Sequence, residues 1–432
     1  MPNLEGESQS LDEILTVVIP AYNEVAGIAG IVERLLAMRP ALAALGTGLE
    51  LIVVDDGSRD GTADAVAAYP EVRLVRHRSN YGYGAALKTG FAQARGTWLG
   101  FLDADGTYPP EHFPALLEAG RRSQADLVIA SRMAGTESQM PASRRVGNIF
   151  FATLVSLIGN YPISDSASGM RLIRRDVLAR LYPLPDGLNF TPVMSTRAVH
   201  ENLRMVEVPI PYAERVGRSK LSILSDGTRF LQSIVWTALD YNPVRLLGAV
   251  GVACVAAALA IGLGLVVTRL RGITQFGTWG ALAVFAAQVL AVAGVSIFSL
   301  GATFNYLVSL FHHEPVRQGL FGRPIFNPPL ERQFGWIGLL AALAGVLLGV
   351  ASVGFGLAGW PVSRLWLYLL GSAMLILVGV QLMISWVVMR VLEGLNERQQ
   401  SVAADLNGRL DKCVGTGEAP TNETTNARME PR

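Results

Sequence analysis

Apolar residues follow two rhythms along this chain, and the change falls between about residues 220 and 244. In the first stretch, short runs of valine, isoleucine and leucine close on turn residues: LTVVIP (15–20), LELIVVDDGS (49–58), VRLVRH (72–77), TWLGFLDADG (97–106) and ADLVIASR (125–132). Between them lie helical patterns such as VAGIAGIVERLLAMR and GAALKTGFAQAR. Strands that are apolar throughout, rather than at every second position, are buried on both faces. Their alternation with amphipathic helices predicts a doubly wound α/β fold with a mostly parallel sheet. In such sheets ligands bind at the carboxyl ends of the strands. Polar clusters fall there: Tyr22, Asn23 and Glu24 after the first strand, Asp55 and Asp56 after the second, Asp103 and Asp105 after the fourth.

From Val244 onward four apolar segments, roughly 244–267, 279–308, 336–358 and 365–391, each reach the length of about 20 residues that crosses a bilayer as helix. Arg317, Arg323 and Arg332 in the second connection, and Arg390 and Arg398 after the last segment, place that connection and both termini in the cytosol by the positive-inside rule. Two shorter stretches, 146–158 and 221–239, have the mix of interfacial helices that would seat the α/β domain on the bilayer, with Trp236 and Tyr241 suited to the headgroup boundary. The predicted organisation is an α/β domain over 1–220, a juxtamembrane amphipathic helix over 221–243, a four-helix transmembrane domain over 244–395 and a disordered polar tail over 396–432.

Composition agrees with a membrane protein: of 432 residues half are apolar and 16% charged, and mean hydropathy is +0.35. A net charge of +1 gives no basic excess for nucleic acid, which excludes that class of partner. Two cysteines, Cys254 and Cys413, make neither a disulfide framework nor a structural zinc site. The acidic start, MPNLEGESQSLDE, lacks the basic region of a secretory signal, so the α/β domain is expected to stay cytosolic.

Asp103 and Asp105, in FLDADGTYPP, are the most informative pair. Carboxylates this close repel one another unless a hard cation neutralises them, and Mg²⁺ or Mn²⁺ takes one or two carboxylates together with phosphate oxygens. Asp55 and Asp56 can accept hydrogen bonds from a base or ribose. Ser58, Asp60 and Thr62 read as turn and helix-cap residues. NYGYGAALKTG (80–90) lacks the Gly-Lys-Ser/Thr of a phosphate-binding loop, which disfavours a nucleotide triphosphatase.

VVIPAYNE (17–24), VVDDGSRDGT (53–62), NYGYGAAL (80–87), FLDADGTYPPE (101–111), ASR (130–132), DSASGMR (165–171) and ERVGRSK (214–220) together resemble the GT-A fold glycosyltransferases of family 2. Within them the resemblance is to the polyprenyl-phosphate sugar synthases, the branch of dolichyl-phosphate mannose synthase. It covers about the first half of the chain and implies a GT-A catalytic domain, Rossmann-like, ahead of the transmembrane helices. It further implies that Pro20, Tyr22, Glu24 and Asp56 line the donor nucleotide pocket and that Asp103 and Asp105 hold Mg²⁺ or Mn²⁺ on the diphosphate. Arg132 and Arg145, with Arg144 adjacent, match arginines that grip the acceptor phosphate, and Arg215, Ser219 and Lys220 match a basic element that closes over donor or acceptor. The family often has Gln two residues beyond the second aspartate as a further metal ligand, where this chain has Thr107.

The implied activity is inverting transfer from a nucleotide diphosphate sugar to undecaprenyl or dolichyl phosphate at the cytosolic membrane face, the plasma membrane in a bacterium, for cell envelope glycan biosynthesis. A lipid monophosphate with a second pKa of about 6 is mostly a dianion at neutral pH and needs cations rather than a general base. Arg132, Arg144, Arg145, Arg215 and Lys220 supply them, and His312 and His313 are assigned no catalytic part. A processive polysaccharide synthase shares this fold, but its Q-x-x-R-W element is missing, the nearest string being Gln333-Phe-Gly-Trp336. A non-catalytic nucleotide-binding scaffold fits poorly with an intact acidic pair and basic element. Two helices would anchor an enzyme, which leaves the others to hold the prenyl chain, join copies in a homo-oligomer or present the product. Mannose, glucose and an N-acetylhexosamine all remain open as the sugar.

Overall fold

The structure, a computed structural model, describes residues 13–133, 140–212, 223–272, 277–312, 330–360 and 362–414. The chain forms two compact units that meet in sequence at Tyr241 and Asn242. In the first unit the order is β1 (Glu13–Ala21), α1 (Val25–Leu36), α2 (Arg39–Ala44), β2 (Thr47–Asp55), α3 (Thr62–Ala67), β3 (Val72–Arg76), α4 (Tyr83–Gln93) and β4 (Trp98–Phe101). It continues with α5 (Phe113–Arg122), β5 (Leu127–Ser131), α6 (Ala142–Gly159), β6 (Arg171–Arg174), α7 (Leu178–Leu181), α8 (Phe190–His200), β7 (Met205–Pro209) and α9 (Ile223–Tyr241).

These strands make one sheet in the order β3-β2-β1-β4-β6-β5-β7. β1 pairs in parallel with β2 and β4, and β2 with β3. β6 runs antiparallel to both β4 and β5, while β5 and β7 are parallel. Alternate side chains of the central strands enter two separate cores. Leu15, Val17, Ile19, Leu51 and Val53 pack with Ile28, Val32 and Leu35 of α1 and Phe113 and Leu116 of α5. Val18, Ile52, Val54, Leu99 and Phe101 pack on the other face with Leu87 and Phe91 of α4, Phe190 and Met194 of α8, and Ile234 and Ala238 of α9. Burial of each such side chain is worth about 1.5–3 kcal/mol, which is why the buried stretches Val17–Ile19 and Leu51–Val54 are apolar at successive positions.

The mostly parallel sheet covered on both faces is the fold read from the apolar runs. β6 and β7 were not among the strands foreseen. β6 is only four residues long, and its RLIR run begins and ends on arginine. Its reversed direction has a consequence for the site, because the segment that precedes it, 165–170, arrives at the edge where β1, β2, β4 and β5 end.

The second unit consists of α10 (Pro243–Leu270), α11 (Thr278–His312), α12 (Leu330–Leu357) and α13 (Val362–Val414). All four contain stretches long and apolar enough to cross a membrane. Their outward residues are lipid-like in character: Leu259 is 68% exposed and Leu347 70%. Glycines bring the helices close. A Cβ on Gly379 of α13 would lie 2.6 Å from the Gly338 carbonyl of α12, and one on Gly294 of α11 would lie 2.7 Å from the Gly251 carbonyl of α10. The Ser372 hydroxyl donates to the Gly345 carbonyl at 2.7 Å across the same α12–α13 contact. Such small-residue contacts replace the hydrophobic effect, which is absent between helices in lipid. Residues 396–414, expected to belong to a disordered tail, are instead the end of α13, which continues as helix to Val414, and the rest of the expected tail lies outside the described residues. Ala403, Ala404, Leu406 and Leu410 are good helix formers, and they extend the helix beyond its apolar part.

Gly379→Leu should therefore splay α12 from α13 and cost about 1–3 kcal/mol, the usual scale of overpacking. Gly262→Leu, at a position where an added Cβ would meet nothing within 4 Å, should leave the detergent melting temperature near that of wild type.

Candidate active site

The loops after β1 and β2 are interlocked by side chains that satisfy free backbone groups. The Asn23 N–H donates to Ser58 Oγ at 2.9 Å, and the Arg59 N–H donates to Asn23 Oδ1 at 2.9 Å. At the start of α1 the Glu24 N–H donates to Thr62 Oγ1 at 3.0 Å and the Val25 N–H to Asp60 Oδ2 at 3.1 Å. Ser58, Asp60 and Thr62 thus serve as turn and cap residues, and two of them reach across to a helix other than their own. Pro20 is buried in β1 beyond the β4 ladder, which ends at the Val18–Phe101 pair, so its missing N–H breaks no rung there. Tyr22 and Glu24 lie half-buried beside it.

Asp55 and Asp56 are both buried at the end of β2. Asp55 Oδ1 accepts the Ser58 N–H at 3.0 Å. Asp56 is a hub: Oδ1 accepts the Tyr81 N–H at 2.9 Å and Oδ2 the Gly82 N–H at 2.8 Å, while His77 Nδ1 lies 2.7 Å from Oδ1. The other ring nitrogen of His77 is 2.9 Å from Thr89 Oγ1 on α4. A carboxylate can only accept, so Nδ1 carries a proton. Gly82 has φ +106°, and a Cβ there would lie 2.5 Å from the Asp186 carbonyl. That carbonyl also accepts the Gly84 N–H at 2.7 Å and the Ala85 N–H at 3.1 Å. The first amides of α4 are consequently taken by the chain itself, in keeping with the absence of a phosphate-loop motif in the sequence.

Asp103 and Asp105 follow β4. The Tyr83 hydroxyl donates to Asp103 Oδ1 at 2.8 Å. On another side Gly169 lies so close that a Cβ would fall 2.3 Å from Asp103 Oδ2. Asp105 Oδ1 accepts both the Thr107 N–H at 3.2 Å and the Thr107 hydroxyl at 2.6 Å. Thr107 is buried and its hydroxyl serves Asp105. Among the described residues no group of three or more His, Cys, Asp or Glu could hold a metal ion. Two oriented carboxylates fit Mg²⁺ or Mn²⁺ nonetheless, because these ions complete their shell with water and substrate phosphate oxygens. Burial and the adjacent Asp103 carboxylate push the Tyr83 phenol well above its ordinary value, so it stays a donor.

Arg132, one residue past β5, makes a two-pronged ion pair with Asp165: Nε to Oδ2 at 2.8 Å and Nη2 to Oδ1 at 2.7 Å. The side chains are 12% and 0% exposed. The Arg132 guanidinium also lies over the rings of Tyr108 and Tyr212, 5.9 and 5.5 Å from their centroids. Burial would raise the Asp165 carboxyl, but the Arg132 charge and hydrogen bonds outweigh it and hold it below the usual range. Beneath this pair Arg171 is wholly buried, with Nε donating to the Ser168 carbonyl at 3.0 Å and Nη2 to the Ser166 carbonyl at 2.7 Å. Burial pushes it down to about 10. The Gly169 N–H donates to the Tyr108 hydroxyl at 2.6 Å, so the 165–171 segment is fastened at several points.

Arg144 and Arg145 stand in the first turn of α6, Arg144 half-buried and Arg145 exposed. Arg215, Ser219 and Lys220 lie outside the described residues, as does His313; His312 ends α11. The structure gathers Pro20, Tyr22, Glu24, Asp55, Asp56, Asp103, Asp105 and Arg132 at one sheet edge. It adds His77, Tyr83, Tyr108, Asp165, Gly169 and Arg171, whose parts depend on tertiary neighbours. Tyr83, Tyr108, Asp165, Gly169 and Arg171 lie in the motifs that carry the resemblance, but nothing in those motifs names their partners.

Residues 16–182 match the family described as Glycosyl transferase family 2. Residues 243–403 match a domain of unknown function, DUF8752. The chain is 30% identical over 318 residues to undecaprenyl-phosphate 4-deoxy-4-formamido-L-arabinose transferase of Pseudomonas aeruginosa, a match that spans 72% of this chain and 89% of that protein. It is 31% identical over 230 residues to the low-salt glycan biosynthesis hexosyltransferase Agl6 of Haloferax volcanii, across 52% of this chain and 54% of that one. A crystal structure of glucosyl-3-phosphoglycerate synthase from Mycobacterium tuberculosis, in complex with Mn²⁺, uridine diphosphate and glucosyl-3-phosphoglycerate, is similar over 54% of this chain and 82% of that one, with 21% identity and a TM-score of 0.42.

Removing one partner of the buried pair leaves the other charge stranded, so Asp165→Ala should lower stability by about 3–5 kcal/mol. Denaturation of the full-length protein in detergent measures it. Because the Asp165 carboxyl is held low, the pair contributes fully above the ordinary carboxylate pKa of about 3.9. Its contribution should fade as pH falls through the lower folded value.

Proposed function

The chain belongs to glycosyl transferase family 2, and on that footing we propose that it transfers a sugar, with inversion, from a nucleotide diphosphate sugar to a polyprenyl phosphate at the cytosolic face of a membrane. The observation that carries this reading is the meeting of the Asp103–Asp105 pair with basic side chains at one sheet edge, in a chain that continues into membrane-spanning helices. Its 30% identity to an undecaprenyl-phosphate sugar transferase over 72% of the chain supports the lipid acceptor.

Pro20, Tyr22, Glu24, Asp55 and Asp56 form the pocket for the donor's nucleoside. Mg²⁺ or Mn²⁺, held by Asp103, Asp105 and the donor's diphosphate oxygens, would neutralise the charge of the departing nucleoside diphosphate. The acceptor phosphate meets Arg144 and Arg145 at the start of α6, where the helix dipole also favours an anion. Arg132 supports it from the other side, although its fork is engaged with Asp165, so its share is charge more than hydrogen bonding. Arg215, Ser219 and Lys220 would close over the two phosphates. A phosphate oxygen of the lipid attacks the anomeric carbon from the face opposite the leaving group. The bond to the diphosphate breaks as the new one forms, and configuration inverts. No proton has to be removed, because the acceptor is already a dianion at neutral pH.

The first unit's apolar surface supports a membrane-borne acceptor. On α6, Val146 is 67% exposed, and Ile149, Phe150 and Leu157 are exposed on the same helical face. On α9, Trp236 is 60% exposed and Leu231 39%. The two helices touch through Phe151 and Phe230, whose ring centroids are 5.8 Å apart. Such an apolar face suits the headgroup layer of a bilayer, where Arg144 and Arg145 would meet lipid phosphates.

Purified protein given Mg²⁺, undecaprenyl phosphate and a panel of labelled UDP- and GDP-sugars should place label in a lipid that mild acid cleaves. Label in an insoluble polymer, or none at all, overturns the reading. Asp105→Asn should reduce transfer at least about 100-fold, equivalent to roughly 2.7 kcal/mol of transition-state stabilisation, with normal behaviour in gel filtration. Gly169→Ala should also reduce transfer, because its methyl group displaces Asp103.

A further inference from the structure

We propose that Tyr83 is a positioning residue for this transfer, holding Asp103 in the orientation in which its carboxylate meets the donor's diphosphate and its cation. The inference rests on the glycosyl-transfer reading above and assigns a role to a side chain outside the expected donor, acceptor and metal residues.

Asp103 is held between two elements. The Tyr83 hydroxyl reaches Oδ1 from α4 at 2.8 Å, and the backbone of Gly169 closes against the carboxylate with no room for a methyl group. A carboxylate has no hydrogen to give, so the phenol is the donor. One oxygen is thereby fixed and the plane of the group with it. A cationic partner such as lysine could orient Asp103 equally well, but it would cancel the negative charge that a divalent cation needs. A phenol orients without neutralising.

Tyr83 can perform this because it is itself immobilised. Its ring meets Phe190 of α8 edge-on, at 6.4 Å between centroids and 79° between planes. Just before it the Tyr81 and Gly82 N–H groups are bonded to Asp56, and just after it the Gly84 and Ala85 N–H groups are bonded to Asp186. The segment therefore runs from a carboxylate of the proposed nucleotide pocket to a carboxylate of the proposed diphosphate site within a few residues. Nucleotide contacts at one end and cation contacts at the other share one rigid loop.

The test uses full-length protein in detergent and Tyr83→Phe, which keeps the ring against Phe190. Mn²⁺ is titrated in the presence of UDP or GDP, with free Mn²⁺ followed by electron paramagnetic resonance. Loss of a hydrogen-bonding partner behind a metal ligand typically costs 10–100-fold in metal affinity or activity. A weakening of that size is expected in the Mn²⁺ titration, with a matching rise in the Mn²⁺ concentration for half-maximal transfer and an unchanged melting temperature. Placed on Asp103→Asn, Tyr83→Phe should add almost nothing, since the two act as one unit. Tyr83→Met, which also lacks the hydroxyl, should behave like Tyr83→Phe. Wild-type Mn²⁺ affinity in Tyr83→Phe, additive losses in the double variant, or no Mn²⁺ binding by the wild type would each overturn the proposal. If the wild type turns over no donor while Tyr83→Phe still weakens Mn²⁺ binding, the transfer reading falls and the link between Tyr83 and Asp103 stands.

Discussion

Carboxylates gathered at one end of a sheet repel one another, and here Asp55, Asp56, Asp103, Asp105 and Asp165 crowd a single edge. Each is stabilised by a different device. Asp165 has a guanidinium, Asp55 has the Ser58 amide with the Arg76 guanidinium 3.7 Å away, Asp56 has two backbone amides and a histidine, Asp103 has a phenol, and Asp105 has the amide and hydroxyl of Thr107. Two of these partners, Arg132 and Arg76, are guanidiniums. The Asp103–Asp105 pair, where the chemistry of the proposed donor calls for negative charge, accepts from a phenol, an amide and a hydroxyl. The two-sided core supports this arrangement by fixing the strand ends from which all five aspartates or their partners project.

Strands β1, β2, β4 and β5 could be read from sequence because burial on both faces forces apolar runs, β3 from its shorter VRLVR run, and the Asp-x-Asp pair stood out because it closes one such run. Partners could not be read in the same way. Asp165 sits 33 residues from Arg132, and Tyr83 20 residues from Asp103, and no periodicity connects positions so separated. Arg132 shows both sides of this: its place at a strand end marked it as a site residue, while its engagement with Asp165 emerged only from the fold. Thr107 is similar, since its position suggested the cation and its hydroxyl faces a neighbouring carboxylate. In the membrane half, length and hydropathy gave the spans. The glycines that set the close contacts, Gly338 with Gly379 and Gly251 with Gly294, look no different in the sequence from Gly262 or Gly264, where an added Cβ would meet nothing within 4 Å.

The reversed strand β6 also bears on the order in which the site can be assembled. β1, β2 and β4 can pair soon after they are made, which brings Asp56, Asp103 and Asp105 together early. β6 joins β4 only when about seventy further residues have emerged, as the Phe101–Arg171 pair shows. Loop closure of that span is costly and slow compared with local contacts. Arg171, the Gly169 shelf and the Arg132–Asp165 pair therefore arrive after the acidic residues they support. A nascent chain passes through a stage in which the acidic edge is exposed without its buried cations, and ribosomal pausing before residue 171 would prolong exposure of that half-built edge to chaperones and proteases.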